Sequence, residues 1–215
     1  KSAPSKDNTL KSLTVNTGTL SPAFSSSVLN YNVNVPYTTT SITLTAVKNH
    51  AAATVSGDGA KTLAVGKNTF TITVTAQNGE KKTYTVTVTR AAASNDNTLK
   101  SLTVSTGTLS PSFSSSQLSY TVSVPYSVTS ITISAGANHS AATVSGDIGK
   151  ALSLSVGTKT FSITVKAQDG STKTYTVTVT RQKCTDNTLK SLSVSGYKFT
   201  EDFSPSKTDY ITVNI

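Results

Sequence analysis

One string of residues recurs along this chain and limits its folding more than any other feature. Asp7-Asn8-Thr9-Leu10-Lys11-Ser12-Leu13-Thr14-Val15 returns as Asp96-Asn97-Thr98-Leu99-Lys100-Ser101-Leu102-Thr103-Val104. It comes a third time as Asp186-Asn187-Thr188-Leu189-Lys190-Ser191-Leu192-Ser193-Val194, at offsets of 89 and then 90 residues. Later landmarks, Gly79 with Gly170 and Arg90 with Arg181, lie 91 apart, so the second copy gained two residues after the equivalent of Gly57. Solenoid units run about 20–50 residues, so copies of this length are domains rather than stacked repeats. We place them at 7–90 and 96–181, with an incomplete third repeat at 186–215. The links 91–95 and 182–185 contain neither Gly nor Pro and are expected to restrict bending.

Within each copy, apolar residues alternate with Thr or Ser at a period of two, the mark of strands with one buried and one solvated face. The first copy reads Tyr31-Val33-Val35, Ile42-Leu44-Ala46, Phe70-Ile72-Val74-Ala76 and Tyr84-Val86-Val88 at alternate positions, and the second repeats all four. Gln77-Asn78-Gly79-Glu80 and Gln168-Asp169-Gly170-Ser171 are hairpin signals, because Asn-Gly and Asp-Gly tolerate positive φ. Pro36 and Pro125 close a strand where a missing N–H does no harm. Shorter runs at 53–55 and 63–65, with Leu10-x-x-Leu13-x-Val15, bring each copy to seven strands. The fold class is therefore all-β: two tandem seven-stranded antiparallel immunoglobulin-like β-sandwiches plus the opening strands of a third.

The third repeat is out of phase. Tyr120-x-Val122-x-Val124 alternates cleanly, but after Tyr210 the apolar residues are Ile211, Val213 and Ile215. A one-residue slip turns every side chain to the other face, so a bulge or insertion is expected near Tyr210. So short a segment cannot build a core alone. Either it is part of a longer array, or its strands complete a sheet on another molecule.

The string Leu-Lys-Ser-Leu-Thr-Val-x-x-Gly-x-Leu-Ser-Pro-x-Phe-Ser, followed by Tyr-x-Val-x-Val-Pro, Thr-Ser-Ile-Thr and Lys-Thr-Tyr-Thr-Val-Thr-Val-Thr-Arg, resembles the bacterial cadherin-like β-sandwich family. The resemblance covers 7–90 and 96–181 fully and 186–215 in part. It implies tandem sandwiches on secreted or surface-attached bacterial proteins, often beside catalytic or anchoring modules, and it carries over no catalytic residues.

Charge and chemistry narrow the function. Charged residues make up 13% of the chain, against about 25% in ordinary domains. The net charge of +9 is thinly spread and includes two arginines, which argues against nucleic acid and leaves diffuse attraction to a polyanion. No apolar run is long enough for a transmembrane segment. Cys184 is the single cysteine, so no intrachain disulfide forms, and its role is a free thiol or an interchain pair.

No cofactor or metal is expected. Calcium needs six to eight oxygen ligands, several from carboxylates, and the acids here are scattered. His50 and His139 occupy equivalent places in Asn49-His50-Ala51 and Asn138-His139-Ser140 without the further ligands zinc needs. No Gly-x-Ser-x-Gly or other convergent acid, base and nucleophile appears, so the chain does not read as an enzyme. Tyr37 and Tyr126 follow Val-Pro and break the alternation, which makes them the weak ligand-binding candidates for stacking on a sugar ring. The reading is a non-catalytic stalk of an extracellular, secreted or surface-bound bacterial protein, with neighbouring domains of a longer chain as partners. The alternative is a module that holds polysaccharide or an anionic wall polymer.

Overall fold

The computed structural model describes residues 2–214, and every regular element among them is a β-strand. The first copy comprises β1 (Leu10–Val15), β2 (Asn30–Val35), β3 (Ser41–Lys48), β4 (Thr54–Ser56), β5 (Gly59–Thr62), β6 (Gly66–Thr75) and β7 (Lys81–Arg90). The second comprises β8 (Leu99–Val104), β9 (Ser119–Val124), β10 (Ser130–Ala137), β11 (Thr143–Gly146), β12 (Ala151–Ser153), β13 (Gly157–Lys166) and β14 (Thr172–Arg181). A last pair, β15 (Tyr197–Phe199) and β16 (Thr212–Asn214), closes the series. Two compact units divide between Ser94 and Asn95.

Each copy is a two-layer sandwich. A three-stranded sheet, β1-β3-β5, faces a four-stranded one, β2-β7-β6-β4, and β8-β10-β12 faces β9-β14-β13-β11 in the same order. The period-two alternation delivers the core: Tyr31, Val33 and Val35 from β2 meet Ile42 and Leu44 from β3, with Ile72, Val74, Tyr84, Val86 and Val88 from β6 and β7. The second copy packs Tyr120, Val122, Ile131, Ile133, Phe161, Ile163, Tyr175 and Val177 in the same way. Burying a side chain of this size contributes about 1.5–3 kcal/mol, so each interior supports its own sheets.

The buried tyrosines keep their hydroxyls paired, as burial of a polar tip requires. The Tyr31 hydroxyl donates to Ser25 O (2.7 Å) and accepts from Ser25 N (3.2 Å); Tyr120 does the same at Ser114. Tyr84 donates to Ser26 O (2.9 Å) and accepts from Leu10 N (3.2 Å), so it ties β1 to the loop before β2. Tyr175 repeats this with Ser115 and Leu99.

Three local features depart from the alternation and turn signals. Pairing is antiparallel except that β2 runs parallel to β7, and β9 to β14. Hairpin rules govern only strands adjacent in the chain, and most of a domain separates β2 from β7, which frees their relative direction. The β6–β7 connection is a three-residue loop: Ala76 N donates to Glu80 O, and only Gly79 takes positive φ (91°). Asn78 instead accepts from Glu80 N through Oδ1 (3.1 Å). The run at 63–65 lies just past β5; Leu63 N donates to Thr40 O (2.9 Å) and its side chain is buried, while Val65 is exposed.

Residues 186–214, where the string recurs, keep the tyrosine-to-serine bond seen at Tyr31 and Tyr120 but not the inward apolar phase. Tyr210 donates to Ser204 O (2.7 Å) and stacks on Phe203, as Tyr31 does with Ser25 and Phe24. From Tyr197↔Asn214 to Phe199↔Thr212 the pairing shows no register shift, so the bulge expected near Tyr210 is absent from β15–β16. Thr200 N donates to Ile211 O as Ser21 N donates to Asn32 O, so Ile211 takes the solvent-facing place that Asn32 holds in the first copy. Ile211 and Val213 are 70% and 49% exposed, and Thr212 between them is exposed as well. Ile215, the last of that apolar run, lies outside the described residues.

Candidate functional site

Tyr37 and Tyr126 each sit one residue beyond the proline that closes the second strand of their copy, at the end of the sandwich where the last strand finishes. There the two arginines of the chain decide what the rings can do. The Arg90 guanidinium lies 4.9 Å from the Tyr37 ring centroid, and that of Arg181 lies 4.8 Å from Tyr126. A guanidinium over a tyrosine face is attracted by the ring quadrupole, with about 0.5–1 kcal/mol at exposed sites.

The same guanidinium groups staple loops. Arg90 Nε donates to Tyr37 O (2.8 Å) and Nη1 to Leu63 O (3.0 Å). Arg181 Nε and Nη2 both donate to Tyr126 O (3.0 and 2.6 Å), and Nη1 to Leu154 O (2.9 Å). The planar five-donor fork suits this work, which the three rotatable donors of a lysine would do less well. One face of each ring is therefore occupied by the guanidinium. Tyr37 is half-buried; Tyr126 is 47% exposed.

Beside Tyr126 lies an open groove of about 440 Å³ lined by Pro125, Ser127, Gln182, Lys183, Cys184 and Asp186. Gln182 anchors its floor: its N–H donates to Val124 O (2.9 Å) and its Nε2 to Ser123 Oγ (2.9 Å). Cys184 is exposed, with Sγ 3.7 Å from Asp186 O.

The histidines mark the opposite end. His50 Nδ1 accepts from Ala52 N (3.2 Å) and His139 Nδ1 from Ala141 N (3.2 Å), so both serve a turn. Next to each stands the aspartate of the recurring string. Asp7 Oδ1 accepts from Thr9 Oγ1 (2.6 Å) and Thr9 N (2.9 Å), and Oδ2 from Asn49 Nδ2 (2.8 Å). Asp96 is held alike by Thr98 and Asn138. The threonine hydroxyl above all holds both carboxyls below the ordinary carboxylate range. These groups fasten the start of the first strand to the loop after the third. Among the described residues no three of His, Cys, Asp and Glu gather as metal ligands do.

The staple arginines escaped the sequence reading as site residues. Their signal was present: the two arginines of a lysine-rich chain end equivalent strands.

Comparison with known proteins places this architecture. The profile of the cadherin-like beta sandwich domain matches residues 10–91 and again 99–182, and the chain belongs to that family. A protein of Evansella cellulosilytica designated a membrane protein is 41% identical over 102 residues, which are 44% of this chain and 15% of that one. The chain thus spans a small fraction of that relative's length. Among solved structures, the extracellular cadherin domains 1–4 of protocadherin gamma B7 align with a TM-score of 0.31 at 12% identity, over 78% of this chain and 53% of that one. The fibronectin(III)-like modules of Clostridium thermocellum CbhA align at 0.23 and 14%, over 80% and 94%. No described helix is long and apolar enough to cross a membrane.

Proposed function

We propose that the chain is a non-catalytic spacer of a multidomain extracellular protein, built from repeats at 7–90 and 96–181 and the opening of another at 186–215. One observation carries this reading: each sandwich admits the chain at one end and releases it at the other. Ser5 enters against the β6–β7 hairpin, where its N–H donates to Gln77 Oε1 (3.0 Å) and its carbonyl accepts from Asn78 N (3.1 Å). The chain leaves after Arg90, at the far end of β7, about 33 Å along a ten-residue strand. A module with that geometry lengthens a protein at every repeat. Its interior is filled by its own side chains, so spacing needs no further partner.

Pulling the chain by its ends tests this. Force spectroscopy should give two discrete unfolding events, each releasing the contour length of one sandwich; gradual yielding without steps would sink the spacer reading.

A second reading rests on the exposure of Tyr126 at its groove, with Tyr37 as its counterpart: stacking on a sugar of a polysaccharide or anionic wall polymer. Pull-down on purified bacterial wall at low and high salt, repeated with Tyr37→Ala/Tyr126→Ala, separates the two. Retention lost in the variant supports the second reading; unchanged retention removes it.

A further inference from the structure

The outer face of the four-stranded sheet is unusual in what it lacks. In the second copy the ladder registers align its outward positions in rungs: Thr160 beside Thr178 beside Thr121, then Thr158 beside Thr180 beside Ser123. Every outward position in these ladders is Ser or Thr except Lys166. In the first copy the same face carries Thr, Ser and the asparagines of β2, plus Lys67 and Lys81 at its two ends. Within these ladders neither face bears an acid or a large apolar residue, and the nearest acid to the second face is Asp147, one residue past β11, whose Oδ2 accepts from Ser162 N (3.1 Å). Solvated sheets ordinarily mix charges of both signs.

The hydroxyls are also ordered before anything binds. Thr160 Oγ1 lies 3.1 Å from Thr178 Oγ1, Thr164 Oγ1 lies 3.3 Å from Thr174 Oγ1, and Thr176 Oγ1 donates to Ser119 Oγ (3.2 Å). β-Branched side chains are stiff at χ1, so little rotamer freedom remains to be lost. The result is a lattice of groups that both donate and accept, spaced about 4.8 Å across the strands and about 6.8 Å along them.

We infer that this face binds an acidic polysaccharide, a linear polymer that presents hydroxyls and regularly spaced negative charge together. The hydroxyl lattice matches a polyol in many registers, since each Oγ can reverse its role. Lys67, Lys81 and Lys166 supply the counter-charge, and the Asp147 carboxylate at the edge of the second face is held by Ser162 N. Single contacts of this kind are weak, and tandem faces on one chain raise the affinity by avidity. The inference shares its ligand class with the second reading above but none of its residues.

The test uses the full chain and three immobilised probes: polygalacturonate, neutral dextran, and polyphosphate, which has charge without hydroxyls. Polygalacturonate should retain the chain best, and salt should weaken retention because the lysines are exposed. Thr160→Val/Thr178→Val with Thr69→Val/Thr87→Val keeps the β-branched shape and should weaken retention about tenfold, in line with a few lost hydrogen bonds. Lys67→Gln/Lys81→Gln/Lys166→Gln should weaken retention and flatten the salt dependence, which the remaining lysines keep above zero. Circular dichroism melts check that these variants fold, and single-pair valine variants replace any that do not. Equal retention on polyphosphate, full retention by the valine variants, loss in Tyr37→Ala/Tyr126→Ala instead, or no retention on any probe would each overturn the inference. The last outcome leaves the spacer reading standing, because force spectroscopy judges that separately.

Discussion

A carboxylate on the surface usually matters little to stability, yet Asp7 and Asp96 each gather three hydrogen bonds at the root of the first strand. Their folded pKa values lie below the ordinary 3.8, so the stability they lend is complete above that value and is lost as pH falls through the lowered one. Asp96→Asn should therefore be less stable than the parent at pH 7, with the gap closing below pH 3.8; urea melts across that range check it. Tyr84 poses the buried version. Its hydroxyl lies between Leu10 N and Ser26 O, and burial pushes its pKa up. Tyr84→Phe leaves two backbone groups without this partner and should cost about 1–3 kcal/mol, read from the urea midpoint of the first sandwich. The sequence phase placed Tyr84 in the core but could not show where its hydroxyl ends, because that partner lies 58 residues away.

At the scale of elements, most strands were legible because period-two alternation is long and clean from Phe70 to Ala76 and from Tyr84 to Val88. The parallel β2–β7 pair was not, since strand direction between distant segments leaves no local trace. The hairpin is a middle case: Asn-Gly marked the turn, while Asn78 spent its side chain on Glu80 N and left positive φ to Gly79. Glycines elsewhere separate two causes of intolerance. At Gly57, with φ of +88°, an added Cβ would sit 2.1 Å from Thr71 O; at Gly59, with φ of +89°, it would meet nothing within 4 Å. Gly59→Ala should then cost only the strain of a left-handed residue, about 1–2 kcal/mol. Gly57→Ala should cost clearly more, since backbone must move, and paired thermal melts give the difference. The candidate site was half legible: Val-Pro-Tyr exposed the tyrosines, but nothing local tied Arg90 to a ring 53 residues earlier.

For the whole molecule, duplication was the plainest message of the sequence, and the structure repeats it down to individual hydrogen bonds. The third repeat shows the limit of such inheritance. Tyr210 preserves its bond to Ser204 while Ile211 and Val213 after it stand exposed where the first copy has Asn32 and Asn34, so a short motif can persist where the surrounding pattern has drifted. The paired arginines carry a different consequence. Arg90 and Arg181 end strands whose next N–H, at Ala91 and Gln182, is bonded to Val35 O and Val124 O. A bond held in that way is cut only after local opening. An arginine-specific endoprotease should therefore spare the native chain and sever it after these two residues as denaturant is added, with gel bands tracking the unfolding curve. Cleavage at the native rate of a short peptide would show that the staples do not hold. The chain thus carries a built-in clock for its own opening, one tick per sandwich.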